Sequence, residues 1–335
     1  MVRYLVNRIL WIPVVLLLLS LITFVISRMV PGDPVKLAAG PQARPEQIQR
    51  LTEEFGLDRP LPEQYLRYMG GLLQGSWGYS ISNRREVLPD LLTYFSATLE
   101  LTLVATLLGL AIGIPLAIVA ARWRDLWPDH LSRFISIGAV SVPVFWIAII
   151  LQLIFGQTLH WLPVSGRFDP RQTYPTTITG LLLLDTLLVG NWQGFITALR
   201  YILLPAFCQS LLVIALITRQ LRGDLLDMLR KDFVMVARAN GIKERIIWTR
   251  YLLKNALIAT VSMLGFLIGF ALGGSVLIEF VFDWPGVGQY ATKAALLLDF
   301  QVIMGATLFI GVVVVLVNLI TDILYRFVDP RIRFS

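Results

Sequence analysis

Long apolar runs without charged residues are the dominant pattern along the chain. A transmembrane helix needs about 20 mostly apolar residues, because each residue rises about 1.5 Å and the hydrocarbon core is about 30 Å thick. The runs that meet this test are 9–27, 101–121, 134–156, 201–218, 255–278 and 300–321. The pattern therefore predicts an all-α membrane protein with six transmembrane helices.

A seventh apolar run, Leu181–Val189, is shorter and contains an acidic residue. Asp185 lies at its centre, and Gly180 and Gly190 bound it. An aspartate at the middle of a span costs about 2.5–3.5 kcal/mol on insertion scales, so we expect a short interfacial or re-entrant segment here. The first run is longer than the apolar core of a signal peptide and no small-residue cleavage site follows Arg28, so we expect it to stay as an anchor.

The basic residues predict the orientation. Of 29 Lys and Arg residues, 17 lie at the termini and in the connections that share their side of the membrane, and nine of these lie between Arg219 and Lys254. Basic residues concentrate in cytoplasmic connections. We therefore expect both termini and the 219–254 connection to be cytoplasmic. This topology also accounts for the net charge of +7, so a lipid bilayer is expected around the chain and no nucleic acid is expected as a partner.

Composition and the absence of motifs argue against an enzyme. The chain is 56% hydrophobic and only 15% charged, against about 25% charged in ordinary soluble domains. No Gly-Lys dipeptide is present, so no phosphate-binding Walker loop exists, and the two histidines, His130 and His160, are isolated. We expect no catalytic residue, no metal site and no cofactor bound by this chain.

Three regions follow from these patterns: 1–30 with the first helix, an external segment 31–96, and a five-helix core 97–335. The external segment contains helix signals, with Pro45 at a first turn, Gly56 as a stop, and a second amphipathic stretch around Tyr65. Two roles stay open for this segment. It either caps a pore or receives an external partner, or it is a solvated loop packed on the bundle.

The cytoplasmic connection 219–254 contains a short amphipathic segment. Asp232 is expected to cap a helix that carries Phe233, Val236 and Ala237 on one face, and Gly241 is expected to end it in the left-handed conformation. A second, basic helix follows. The pair forms a projection for the groove of another protein, or alternatively a basic surface that lies on anionic lipid.

The run Asp232–Gly241, followed by Leu252–Ala256, resembles the EAA loop of ABC importer membrane subunits. Its form is similar to that of the B-type permeases for dipeptides, oligopeptides and nickel. The general pattern is Glu-Ala-Ala, three residues, then Gly; Ala237 and Gly241 keep it, whereas Met235 and Val236 depart from it. Further blocks in the family's order stand at 31–34, 56–60, 75–80, 98–101, 141–146, 282–288 and 329–333.

This resemblance implies a type I ABC importer permease in the bacterial inner membrane. In such transporters two membrane subunits form the translocation path, two ATPase subunits use ATP and Mg below it, and an external binding protein delivers the substrate. The resemblance implies short peptides as the cargo, with nickel chelates or another small solute as alternatives. A different class also stays open, a non-transporting membrane scaffold or receptor with a lipid-binding basic loop.

The resemblance also implies roles for single residues. The 232–241 helix would be the coupling helix in an ATPase groove, with Phe233 and Val236 as apolar anchors and Arg238 paired with acidic groups. The remaining residues assigned to this contact are Asp232, Ala237, Ala239 and Gly241. The small alanines permit close approach, and the glycine permits the turn.

Candidate substrate-path residues come from helix-breaking positions. Pro115, Pro143 and Pro205 lie inside the second, third and fourth runs, where they mark either a cavity or a packing kink. Asp283 and Trp284 belong to a loop that either returns toward the pore or makes a tight outer turn.

Overall fold

A computed structural model describes residues 2–29, 35, 44–54 and 56–328. The regular elements of this part of the chain are helices, apart from one short hairpin, and a long irregular connection spans 159–181. The first elements are α1 Val2–Met29, α2 Pro45–Glu54, α3 Leu61–Leu73, β1 Tyr79–Ser80, β2 Arg85–Glu86, α4 Val87–Arg122, α5 Trp127–Ser141 and α6 Val144–Leu151. The remaining helices are α7 Leu182–Leu188, α8 Trp192–Leu229, α9 Asp232–Ala239, α10 Glu244–Ile246, α11 Leu253–Gly274, α12 Val276–Val281, α13 Val287–Leu296 and α14 Phe300–Val328.

The helices reproduce the predicted spans. Among the described residues, α1, α4, α8 and α14 are each long and apolar enough to cross a membrane. Two bent pairs pass the same test: α5 with 144–158, and 244–258 with 263–274. Counting each bent pair as one span gives six, which agrees with the prediction. Two segments, Gln152–Thr158 and Ile247–Leu252, are π-helical and continue α6 and α10.

The third span, predicted over the run 134–156, is broken at Pro143, one of the three helix-breaking positions named from the sequence. Its two halves meet at an angle of 103°. Pro143 stands immediately before α6, after the extended residue Val142 that ends α5. Proline lacks an N–H and disfavours a helical conformation in the residue before it, which explains the break. Pro115 and Pro205, by contrast, lie inside the unbroken helices α4 and α8.

The pair of α4 and α8 forms the centre of the bundle. The buried stripe of α4 repeats every four residues and consists largely of small side chains: Ala97, Leu101, Ala105, Gly109, Gly113, Ala117 and Ala121. A Cβ added at Gly109 would lie 2.6 Å from Val213 of α8. Small residues at this spacing let two helix backbones approach closely, which is how helices associate inside a bilayer.

The described parts of the segment 31–96 pack on the bundle, and both roles left open by the sequence are compatible with this packing. The predicted helices are present as α2 and α3, and Gly56 has a φ of +62°. On α3, the Tyr65 hydroxyl lies 2.9 Å from Ser20 Oγ of α1, and its ring is 5.3 Å from the ring of Phe24. The hairpin β1–β2 is fastened to the start of α14, where Asp299 accepts hydrogen bonds from Ser80 and Ser82. The block 31–34 and Phe55 lie outside the described residues, as do residues 329–335.

The run around Asp185 forms α7, a helix of seven residues that is too short to span a bilayer. The Asp185 carboxylate is buried and accepts hydrogen bonds from the N–H groups of Ile178, Thr179 and Gly180, at 2.8–3.1 Å, and from the Thr179 hydroxyl at 2.6 Å. Burial by itself raises the pKa of Asp185, but these hydrogen bonds outweigh it and hold the pKa below its ordinary value. The acidic residue therefore organises a loop.

Stability should depend on the charge of Asp185. Because the folded-state pKa lies below the unfolded value of about 3.9, the carboxylate stabilises the fold above that pH, and its contribution is lost as the pH falls through the folded pKa. We expect Asp185→Asn to lower the free energy of unfolding by roughly 1.5–3 kcal/mol at neutral pH. The midpoints of thermal unfolding of wild type and Asp185→Asn, measured in detergent, should therefore approach each other as the pH is lowered. A difference between the two midpoints that stays constant down to strongly acid pH would contradict this role of the Asp185 charge.

The predicted orientation can be tested on exposed positions. Gln49 of α2 and Thr173 are exposed and predicted to be external, while Asn240 is exposed and predicted to be cytoplasmic. We expect single cysteines at the first two positions, in a Cys208→Ala background, to react in intact cells with an impermeant thiol reagent. A cysteine at Asn240 should react only after the membrane is opened. Labelling of that cysteine in intact cells would reverse the topology.

Candidate coupling helix and substrate path

Helix α9, predicted to be cytoplasmic, has the predicted extent and ending. Gly241 has a φ of +71°, so the prediction of a left-handed stop is confirmed. The prediction that Asp232 caps the helix is wrong, because Lys231 occupies the cap position and no side chain caps the helix there. Asp232 is instead its first residue, where a carboxylate interacts favourably with the positive end of the helix dipole.

The two faces of α9 differ in burial. Val234 and Ala237 are buried, at 0% and 4% exposure, in a cluster with Leu221 and Leu225 of α8 and with Ile247. Ala237, predicted on one face with Phe233 and Val236, is thus buried against the bundle while those two side chains are exposed. Phe233, Met235 and Val236 are exposed at 37%, 70% and 56%, and Ala239 is exposed as well. Sequence reasoning missed the anchoring role of Val234, which the spacing of three residues to Ala237 indicates.

Arg238 has a partner within the chain. Its Nε lies 2.7 Å from a Glu244 carboxylate oxygen, across the turn at Gly241. Both side chains are about half exposed, so the ion pair contributes only about 0.2–1 kcal/mol. The hydrogen bond to Glu244 raises the pKa of Arg238, which keeps the guanidinium charged. The pair links α9 to α10 across the turn.

A cavity of about 260 Å³ lies at the break of the third span. Pro143, Gln209 of α8 and Phe270 of α11 are among its lining residues, which are otherwise apolar. The Gln209 amide nitrogen donates to Thr102 Oγ1 at 3.3 Å and to the Ala271 carbonyl at 3.2 Å. Its carbonyl oxygen is buried without a hydrogen-bond partner among the described residues. Gln209 thus lines an apolar cavity within the membrane and carries a buried acceptor that has no partner among the described residues.

The three candidate prolines are not brought together. Pro143 lines this cavity, whereas Pro205 is buried inside α8 and Pro115 lies on an exposed part of α4. Gln209 was not among the sequence-based candidates. Its position as a polar residue inside the run 201–218 is the signal that points to it.

The loop with Asp283 and Trp284 is a short turn between α12 and α13. Trp284 is buried at 1% exposure, and its indole N–H donates to the Ala97 carbonyl at 2.9 Å. Asp283 is exposed and lies 3.2 Å from the amine of Lys293. Trp284 therefore packs inside this chain, against α4.

A buried ion pair holds the outer connection to α4. Arg167 Nη2 lies 2.5 Å from Glu100 Oε2, and the exposures of the two side chains are 9% and 4%. The other carboxylate oxygen of Glu100 accepts the N–H of Leu183 at 2.6 Å, and Arg167 also donates to the Gly180 carbonyl. The guanidinium lies 5.8 Å from the centre of the Trp284 ring. Glu100 thus has a structural role: it holds this connection against α4.

Comparisons with known proteins show the family. Residues 113–334 match the family of the binding-protein-dependent transport system inner membrane component, and residues 1–102 match the N-terminal region of the membrane component of such systems. The chain belongs to this family. It is a B-type permease subunit of the peptide ABC importer family, with the all-α fold of type I importer permeases, and it resides in the bacterial inner membrane.

Curated relatives cover nearly the whole chain. The probable D,D-dipeptide transport system permease protein DdpB of Escherichia coli K12 is 42% identical over 93% of this chain and 92% of its own length. The dipeptide transport system permease protein DppB of Alkalihalophilus pseudofirmus is 36% identical over both full lengths, and the glutathione transport system permease protein GsiC of Escherichia coli K12 is 33% identical over both. The inward-facing MetNI methionine ABC transporter matches with a TM-score of 0.49 and 16% identity, over 71% of this chain and 96% of that one.

Family membership decides between the classes considered from the sequence. The chain is a membrane-spanning permease subunit, which functions with ATPase and substrate-binding partners, and not a non-transporting scaffold or receptor.

Proposed function

We propose that this chain forms one half of a translocation path for short peptides. Support comes from the relatives, whose names specify D,D-dipeptides, dipeptides and glutathione. The observation that carries the proposal within the chain is the cavity at Pro143. Its apolar walls suit small side chains, and the unpartnered Gln209 oxygen can accept a hydrogen bond from a peptide N–H or an α-amino group.

The second part of the proposal concerns coupling. Helix α9 docks in a groove of an ATPase subunit, with Phe233, Met235 and Val236 as the contacting side chains. These side chains are exposed on a helix whose opposite face is fixed in the bundle by Val234 and Ala237. A push on α9 is therefore transmitted to α8 and to the helix after Gly241, which moves the bundle between inward-open and outward-open states.

The third part concerns the assembly. Two ATPase subunits bind and hydrolyse ATP with Mg, a second permease subunit that is a different chain completes the path, and an external binding protein delivers the peptide. This chain contributes no nucleotide site of the Walker type, since its sequence contains no Walker loop.

The test is transport by the full complex in proteoliposomes. We expect ATP-dependent uptake of a labelled dipeptide, no ATP hydrolysis by this chain alone, and a raised KM for the dipeptide in Gln209→Leu with little change in basal ATP hydrolysis. Uptake of a nickel chelate with no competition by dipeptides would overturn the cargo. A Gln209→Leu complex with an unchanged KM would remove this cavity from the path.

A further inference from the structure

A second cavity lies beside the end of α8 that leads into the coupling helix. Its volume is about 570 Å³, within the range of small-molecule sites. The residues of this arginine pocket that carry the argument are Arg124, Ser132, Arg133, Arg219, Arg222 and Arg230. They come from the connection after α4, from α5, and from the last part of α8. The positive-inside pattern puts this end of the helices on the cytoplasmic side.

One wall of the arginine pocket is held rigidly. Asp129 is fully buried and accepts two hydrogen bonds from Arg222, at 2.6 and 2.7 Å. It also accepts two from Arg133, at 2.5 and 3.2 Å. A bidentate pair of this kind fixes the guanidinium plane, so these arginines are oriented before any ligand arrives.

The other wall carries donors without partners. Arg219 and Arg230 are exposed and form no ion pair within the described part of the chain. Ser132 is only 2% exposed, and its hydroxyl oxygen has no hydrogen-bond partner among the described residues. A cavity that combines free guanidinium groups with an unpartnered hydroxyl suits a ligand with several negatively charged acceptor oxygens. A phosphate ester has this chemistry.

The acidic residues do not cancel this charge. Asp125 and Asp227 line the pocket and Asp129 lies beneath it, against five lining arginines, which leaves a net charge of about +2. This excess is local to the cavity.

Exposed apolar side chains beside the arginine pocket indicate the source of the ligand. Trp127 and Phe134 on α5 are exposed at 74% and 75%, Trp123 at 44%, and Ile137, which lines the pocket itself, at 66%. Tryptophan is enriched where a protein crosses from acyl chains to headgroups. The cavity thus combines an anion site with an adjoining apolar surface.

We propose that the arginine pocket binds the phosphate group of an anionic phospholipid of the cytoplasmic leaflet. The acyl chains lie along the apolar side chains of α5, and the phosphate meets Arg219 and Arg230, with the buried Ser132 hydroxyl beneath them. Arg230 is followed after one residue by α9, so the headgroup contacts the end of the helix that leads into the coupling helix. The site is separate from the cavity at Pro143 and does not depend on the cargo.

The test is native mass spectrometry of the full chain in neutral detergent, titrated with dioleoyl phosphatidylglycerol or dioleoyl phosphatidylcholine. We expect wild type to retain one phosphatidylglycerol in preference to phosphatidylcholine. Affinity for phosphatidylglycerol should fall at least about tenfold in Arg219→Gln/Arg230→Gln. The matched control is Arg245→Gln/Arg250→Gln, which removes two exposed cytoplasmic charges outside the pocket and should keep the preference. Arg219→Gln alone serves as the second variant if the double variant does not fold.

The phosphate group in the arginine pocket could belong to a lipid headgroup or to a soluble phosphate compound. Competition with inorganic phosphate and pyrophosphate distinguishes these two ligands. Displacement of the retained phosphatidylglycerol by pyrophosphate, in wild type only, would support recognition of the phosphate group. Pocket-dependent binding of pyrophosphate with no preference for phosphatidylglycerol would overturn the lipid as the ligand. Equal loss of phosphatidylglycerol in the pocket and control variants would overturn the site, because general surface charge would then explain the binding.

Discussion

Gly241→Val is expected to abolish substrate uptake while the helices of the bundle stay inserted. Gly241 has a φ of +71°, a region that costs an L-residue about 1–2 kcal/mol and a β-branched residue more. A Cβ built at this position meets no atom within 4 Å, so the whole effect comes from backbone strain. The strain is relieved by changing the turn, and the turn sets the angle between α9 and the following helix.

The measurements are uptake in proteoliposomes and co-purification of the ATPase subunits. Asparagine tolerates the left-handed region better than other residues with a Cβ, so Gly241→Asn is the matched control. We expect activity to decrease in the order Gly, Asn, Ala, Val. A valine variant with normal uptake and intact ATPase binding would remove α9 from the coupling contact. Equal loss in the asparagine and valine variants would show that side-chain size at the surface, and not backbone strain, is responsible.

Local features were predictable from the sequence. The left-handed residue Gly241 follows from glycine after an amphipathic stretch, and the spans follow from charge-free length. The limits of α8 were not predictable in this way. The run 201–218 becomes a helix of 38 residues, because the polar residues that end the apolar run do not end the helix. Apolar length reports the depth of the bilayer, whereas helix length also depends on what the ends contact.

Features that join distant parts of the chain were missed. Gln209 donates a hydrogen bond to Thr102, which lies 107 residues away in the sequence. Asp129 accepts one from Arg222, which lies 93 residues away. In both cases the partners lie on different helices, and no periodicity within one helix encodes the contact. The charge of Arg222 was visible in the sequence, but it was counted only as a cytoplasmic positive charge. The packing of α5 against α8 turns it into part of a cavity.

The ion pair of Glu100 and Arg167 illustrates the same limit and has the largest predicted effect on stability. Arg167→Ala leaves the Glu100 carboxylate buried with the N–H of Leu183 as its remaining described partner. Removing one partner of a buried ion pair typically costs 3–5 kcal/mol, since the other charge stays desolvated. We therefore expect Arg167→Ala to lower the midpoint of thermal unfolding in detergent strongly. The outer connection 159–181 should become sensitive to protease.

Two further variants separate the charge from simple loss of a side chain. Arg171 lies four residues away, is exposed and forms no salt bridge among the described residues, so Arg171→Ala should leave the unfolding midpoint nearly unchanged. Glu100→Gln combined with Arg167→Met removes both charges and keeps most of the volume, so it should recover a substantial part of the lost stability. If Arg167→Ala were as stable as Arg171→Ala, the pair would not hold the connection. If the neutral pair were no more stable than Arg167→Ala alone, the cost would come from guanidinium interactions that methionine does not replace, namely the hydrogen bond to the Gly180 carbonyl and the contact with the Trp284 ring, and not from the unpaired charge.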